Sequence, residues 1–153
     1  MDKHLSAFDL SQEDANELIQ MPKIAEHTER IFYPGLGGVL EVPLQSINKR
    51  ERFRLTMVRG RINLEKASYQ SIGRKMIVLI RLDLGGPPHR NPDDQVVPCP
   101  HIHIYREGWD DKWASTLDTS VFSNIDDLWQ SLHDFMNYCN VVQKPNIHRT
   151  LGS

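Results

Sequence analysis

The sequence is as informative in what it lacks as in what it holds. No apolar run approaches the ~20 residues that a membrane-spanning helix needs, so no membrane partner is expected. The opening MDKHLSAFDL lacks the basic region followed by an apolar stretch that marks a secretory signal, which gives a cytoplasmic expectation. Two cysteines in 153 residues, Cys99 and Cys139, are too few for a disulfide framework. No repeat, low-complexity tract or Pro/Ser-rich linker divides the chain, so a single domain over 1–153 is expected. Glycines do cluster at GLGG, 35–38, but a strand follows them and no helix start is there to receive a phosphate. Cys99 precedes a proline and has no helix N-terminus beside it to activate its thiol. Net charge is only −2.

That small net charge hides an uneven spread. Residues 1–30 carry seven acidic and three basic side chains, whereas KRERFRLTMVRGR, 49–61, carries six basic and one acidic. Such a block is either an anion-binding footprint or a solvated face. The hydrophobic fraction of 39% and charged fraction of 25% are ordinary for a chain with a real core.

Periodicity supplies the elements. Ser11 with Asp14 is a variant capping box for a helix over 11–20, and Pro22 closes it. Val39 to Leu44 reads as a strand, at an edge because Pro43 cannot donate to a ladder. Arg52 to Arg59 alternates, with Phe53, Leu55 and Met57 on one face. Gly60 permits a turn into a strand over 61–66. Lys75 to Leu84 is a continuous branched run that suits a central strand, with Met76, Val78, Ile80, Leu82 and Leu84 sharing a face. Val96 to Arg106 gives another strand, and Lys112 to Leu117 a short one. Ser123 to Asp126 opens a second helix whose stripe is Ile125, Leu128, Trp129, Leu132, Phe135, Met136 and Cys139. The fold class is α+β: an antiparallel sheet of four to six strands with the N-terminal and C-terminal helices packed on one face.

Strand parity then selects a site. If 75–84 and 96–106 pair as a long-looped hairpin, Arg81, Asp83, His101 and His103 fall on the face the helices leave uncovered. Cys99 and Tyr105 share that parity. The connection from Gly85 to Pro98 brings His89, Arg90, Asp93 and Asp94 to the same end. Arg54, one strand further back, would extend the face with positive charge.

Three chemistries fit these groups. Histidine titrates near working pH and a neighbouring carboxylate such as Asp83 would orient it, while arginines hold phosphate. Those are the parts that metal-independent RNA cleavage requires. Alternatively, His-x-His on a strand with His89, Cys99 or Asp83 could ligate a metal. Finally, histidines on a half-exposed strand often serve only as hydrogen-bond partners. The Trp109-Asp110-Asp111-Lys112-Trp113 loop is either an aromatic binding surface or a loop capped by core-directed tryptophans.

Arg81-Leu82-Asp83, Pro88-His89 and Pro98-Cys99-Pro100-His101-Ile102-His103 together resemble the TumE-type toxins of toxin–antitoxin pairs. The resemblance covers about residues 75–140. It implies an RNA-directed toxin with a cognate antitoxin as partner, and it singles out Arg81, Asp83, His89, His101 and His103. Departures are a long connection before His101 and the Cys99-Pro100 pair ahead of it.

The working expectation is an endoribonuclease-like protein. His101 and His103 are its catalytic pair, His89 or Asp83 assists proton transfer, and Arg54, Arg81 and Arg90 bind phosphate. No cofactor and no metal enter this scheme. The alternative is a non-catalytic phage or mobile-element protein that binds a host or defence component through the basic strand and the tryptophan loop.

Overall fold

The computed structural model describes residues 9–150. Most of the segment read for a secretory signal lies outside them. In chain order the elements are α1 (Gln12–Gln20), β1 (Lys23–Ala25), β2 (Ile31–Phe32), β3 (Val39–Ser46), β4 (Arg52–Arg59), β5 (Ala67–Gly73) and β6 (Ile77–Leu84). Then come β7 (His89–Arg90), β8 (Val96–Val97), β9 (His101–Ile104), β10 (Ala114–Thr116), α2 (Leu128–Tyr138), β11 (Val141–Gln143) and β12 (Ile147–His148). Eight strands form one sheet in the order β10-β9-β6-β5-β4-β3-β1-β11. All its pairings are antiparallel except β1 with β11. The class is α+β, as the periodicity predicts, but the sheet is larger than the four to six strands expected.

The extra strands are short or weakly patterned. β5 reads ASYQSIG, with small and polar residues among the buried ones, and offers no clean alternation. The expected strand over 61–66 is instead a loop in which Ile62 and Leu64 are exposed. Pro43 also does not mark an outer strand, because β3 lies between β4 and β1. β1 ends at Ala25, opposite Leu44, so the ladder stops just before the proline and spares it a donor role.

The core lies on one face of the sheet. Leu55, Met57, Tyr69, Leu79 and Leu82 meet Ala15 and Leu18 of α1 and Leu132, Phe135 and Met136 of α2 in one cluster. Ser11 caps α1 by accepting the Asp14 N–H, as its sequence suggests. The second helix starts later than expected: Asp127 is its cap, accepting the Gln130 N–H, and Ile125 stays largely exposed. Trp129 shields the core from α2 and stacks edge-on against Tyr33. No helix among the described residues is long and apolar enough to cross a membrane.

Lys23 joins the two helix ends beneath the sheet edge. Its buried ammonium donates to the carbonyls of Ile19 and Met21 at the end of α1, at 3.0 and 2.9 Å, and to that of Cys139 at the end of α2, at 2.9 Å. Helix C-termini carry unpaired carbonyls and partial negative charge, so one cation serves both.

The parity of β6 breaks once, and the break matters for the site. Ser71 pairs Ile80, but Ile72 pairs Val78, so Leu79 is an extra residue at a bulge. Leu79 and Ile77 therefore join the core while Met76 is exposed. Val78 moves to the face of Arg81, against the expected Met76–Leu84 set. Tyr105 likewise leaves the polar face. Its N–H bonds the Leu79 carbonyl, and its hydroxyl is buried against Leu10.

At the end of β6 the chain turns through Gly85, with φ of +65°, and a Cβ there would stand 2.3 Å from the Glu65 carbonyl oxygen. Gly85→Ala is expected to cost about 2–3 kcal/mol from strain and clash, lowering the melting temperature by roughly 5–10 °C. A thermal melt showing an unchanged midpoint would contradict this placement of the turn.

Candidate functional site

β6 and β9 pair so that Asp83 lies opposite His101 and Arg81 opposite His103. Directly opposed residues share a face at close range, and the four polar side chains meet on the side away from the core. β5 adds Ser68, opposite Asp83. Parity thus brings together Arg81, Asp83, His101 and His103.

The structure differs from the expectation in how deep the histidines lie. His101 is 2% exposed and His103 is fully buried, so neither ring faces open solvent. The cover comes from two segments. The connection between β6 and β9 folds back as the small β7–β8 hairpin. Asn91 at its turn is tied to β10, its amide donating to the Ala114 carbonyl at 2.9 Å and its oxygen accepting the Ala114 N–H at 2.8 Å. The loop between β9 and β10 closes the other side. There Asp111 accepts Arg81 Nη1 at 2.6 Å through its carboxylate and faces His103 Nδ1 at 2.7 Å through its backbone carbonyl.

Asp83 is the centre of the cluster. Its carboxylate accepts the Ser68 hydroxyl at 2.9 Å and Arg81 Nε at 3.3 Å, and one oxygen, Oδ2, lies 3.1 Å from His101 Nε2 and 3.2 Å from His103 Nε2. Burial pushes this carboxyl up. The adjacent His103 imidazole, the Arg81 charge and the Ser68 hydroxyl outweigh it and hold Asp83 well below the usual carboxylate range.

The partners fix the ring protons. His103 Nδ1 faces the Asp111 carbonyl at 2.7 Å, with Arg81 Nη2 further off at 3.5 Å, and His101 Nδ1 faces the Pro98 carbonyl at 3.2 Å, so each Nδ1 carries a proton. His103 Nε2 in turn takes a donor from Arg81 Nη2 at 2.9 Å. His89 is set the other way round. Its Nε2–H donates to the Lys112 carbonyl at 2.8 Å, and Nδ1 has no hydrogen-bond partner among the described residues. Its ring lies edge-on to His103, with centroids 4.6 Å apart.

A cleft of about 300 Å³ opens over the cluster, lined by Lys66, Ser68, Arg81, Asp83, His89 and His101 among others. The remaining predicted residues fall elsewhere. Arg54 lies two strands away, beyond the bulge, bonded to the Lys75 carbonyl at 3.1 Å and 3.7 Å from a Glu41 oxygen. Arg90 stays at the hairpin, 4.0 Å from the Asp94 carboxylate. Cys99 is held by backbone, accepting the Gly86 N–H at 3.2 Å and donating to the Asp83 carbonyl at 3.4 Å.

Three contributors escape sequence reasoning. Ser68 sits on a strand with no clear period, while Lys66 and Asp111 sit on loops whose return to the sheet no local pattern specifies. Elsewhere, two of the six basic side chains at 49–61 meet carboxylates from outside the block: Arg52 pairs Glu26 and Arg54 lies near Glu41, while Glu51 pairs Arg74. Arg59 is buried, bonding the carbonyls of Pro34 and Leu64. In the tryptophan loop Trp109 and Trp113 stack edge-to-face, and Arg106 lies 4.1 Å over Trp113.

Over residues 10–141 the chain matches the profile of a family of unknown function (DUF6978). It belongs to that family. No curated protein and no solved structure matches it. The matched span contains the whole cluster, from Lys66 to Lys112.

Proposed function

We propose that this chain is an RNA-directed, toxin-like protein with endoribonuclease activity, working in the cleft above Asp83. The observation that carries the reading is the composition of that cleft. Two cations, Arg81 and Lys66, and one imidazole with a free lone pair, His89 Nδ1, surround a volume large enough for a phosphodiester. The TumE-like order of Arg81, Asp83, His89, His101 and His103 supports it as well, and with it a cognate antitoxin as partner.

Burial redistributes the roles. His101 and His103 turn both ring nitrogens toward protein groups, so they position Asp83 and Arg81 rather than meet the substrate. His89 is the base: its Nδ1 takes the proton of a ribose 2′-hydroxyl, whose oxygen attacks phosphorus. The 5′-oxygen leaves and takes its proton from water in the cleft. Arg81 and Lys66 hold the phosphate and offset the charge that develops on it. The docking alternative has less behind it, because two of the basic side chains it relies on, Arg52 and Arg54, already have Glu26 and Glu41 beside them.

Purified chain incubated with single-stranded RNA is expected to yield discrete cleavage products. His89→Ala, in the short β7–β8 hairpin, should fold normally and cleave about 10²-fold more slowly or worse. A folded wild-type chain that neither cleaves nor binds RNA, and that captures one stoichiometric protein instead, would replace this reading with the docking one.

A further inference from the structure

Three ligand-type atoms converge beneath the cleft. With Nδ1 of both histidines facing carbonyls, both Nε2 atoms converge on the same Asp83 oxygen, at 3.1 and 3.2 Å. All three atoms lie within 4.8 Å of one another. A carboxylate oxygen set between two imidazole nitrogens calls for positive charge among them, from ring protons or from a cation. The Arg81 guanidinium answers part of this, reaching His103 Nε2 at 2.9 Å and Asp83 Oδ2 at 3.3 Å. Among the described residues, nothing comparable reaches His101 Nε2.

We propose that Asp83, His101 and His103 form a binding site for one divalent transition-metal ion of the zinc class, with the Arg81 guanidinium holding part of the cation's place when no metal is bound. Ligands about 2.1 Å from a tetrahedral zinc stand roughly 3.4 Å apart, close to the two separations at Asp83 Oδ2. Each imidazole has its far nitrogen fixed by a backbone carbonyl, the outer-shell arrangement that orients metal-binding histidines. Two nitrogens and one carboxylate oxygen suit zinc better than magnesium, which prefers oxygen alone. Asp83 and His101 both line the cleft, so a water or a phosphate oxygen completing the ligand set would come from that side. Arg81 can yield, because its Nη1 is already paired with Asp111 at 2.6 Å. Cys99 is not a ligand, since its thiol is engaged by backbone groups.

This site goes beyond the RNA reading and does not depend on it, so its test uses metal binding alone. Full-length chain without a histidine tag is stripped with chelator and titrated with zinc chloride by calorimetry. Cobalt(II) replaces zinc in a parallel titration to report tetrahedral geometry by its visible absorption. The expected result is one zinc per chain, lost in Asp83→Asn and His103→Gln. Arg81→Met should bind zinc more tightly than wild type, because a competing cation is gone. If the ligand variants fail to fold, wild type and Arg81→Met still decide the matter. Absence of stoichiometric zinc in both, or weaker binding by folded Arg81→Met, would overturn the proposal. So would one zinc retained by folded Asp83→Asn.

Discussion

Asp83→Ala is expected to destabilise the protein by about 3–5 kcal/mol, because it removes one partner from a buried charged cluster and strands the others. Arg81 would keep Asp111 but lose the carboxylate beside its Nε, and Ser68 would lose its acceptor. His101 Nε2 would have no partner left. The loss should appear as a lower urea midpoint with little change in slope. Adding Arg81→Met to Asp83→Ala should cost less than the sum of the single changes, since the stranded cation disappears with it. A loss below about 1 kcal/mol for Asp83→Ala would be the behaviour of a solvated surface pair and would contradict the buried cluster.

Lys23→Met carries the second large effect. The ammonium satisfies three carbonyls at the ends of two helices, and methionine satisfies none. Three orphaned, buried acceptors outweigh the relief of no longer burying a charge, for a net loss of about 3 kcal/mol at neutral pH. Burial lowers the Lys23 pKa to about 8, against the smaller opposing influence of Cys139. The unfolded chain keeps an ordinary lysine near 10.5. Between those values the unfolded state binds more protons than the folded one, so this group's contribution to stability rises as pH increases from about 8 to 10.5. The gap between wild type and Lys23→Met should therefore widen over that range, by up to about 3 kcal/mol. Parallel stability curves from pH 7.5 to 10 would show that the lysine keeps its ordinary pKa in the fold.

The site was legible where local rules are strict. A two-residue period placed Arg81 and Asp83 on one face of their strand and His101 and His103 on one face of theirs, and the observed register sets them opposite each other with Leu82 and Ile102 in the core. Depth was not legible. Burial of His101 and His103 comes from the Asn91 hairpin and the Asp111 loop, whose return to the sheet depends on contacts such as Asn91 with Ala114, 23 residues apart. The bulge at Leu79 was hidden for a related reason. A continuous apolar run reads the same in either register, so Ile77-Val78-Leu79-Ile80 gives no sign of where the extra residue falls. β1 and β11, three residues each, are too short to show a period. Their pairing, parallel and far apart in sequence, enlarges the sheet beyond what periodicity alone predicts.

Everything proposed for the cleft depends on which nitrogen of each site histidine bears the proton. Long-range proton–nitrogen spectra of ¹⁵N-labelled chain, taken after chelation at neutral pH, read this directly. His103 is expected to carry its proton at Nδ1, accepting from Arg81 at Nε2, and His89 to carry its own at Nε2, with His101 protonated at Nδ1. Zinc should then shift the Nε2 resonances of His101 and His103 and leave Nε2 of His89 in place. His103 in the Nε2–H form, or Nε2 resonances of His101 and His103 that zinc leaves in place, would contradict the convergence on Asp83.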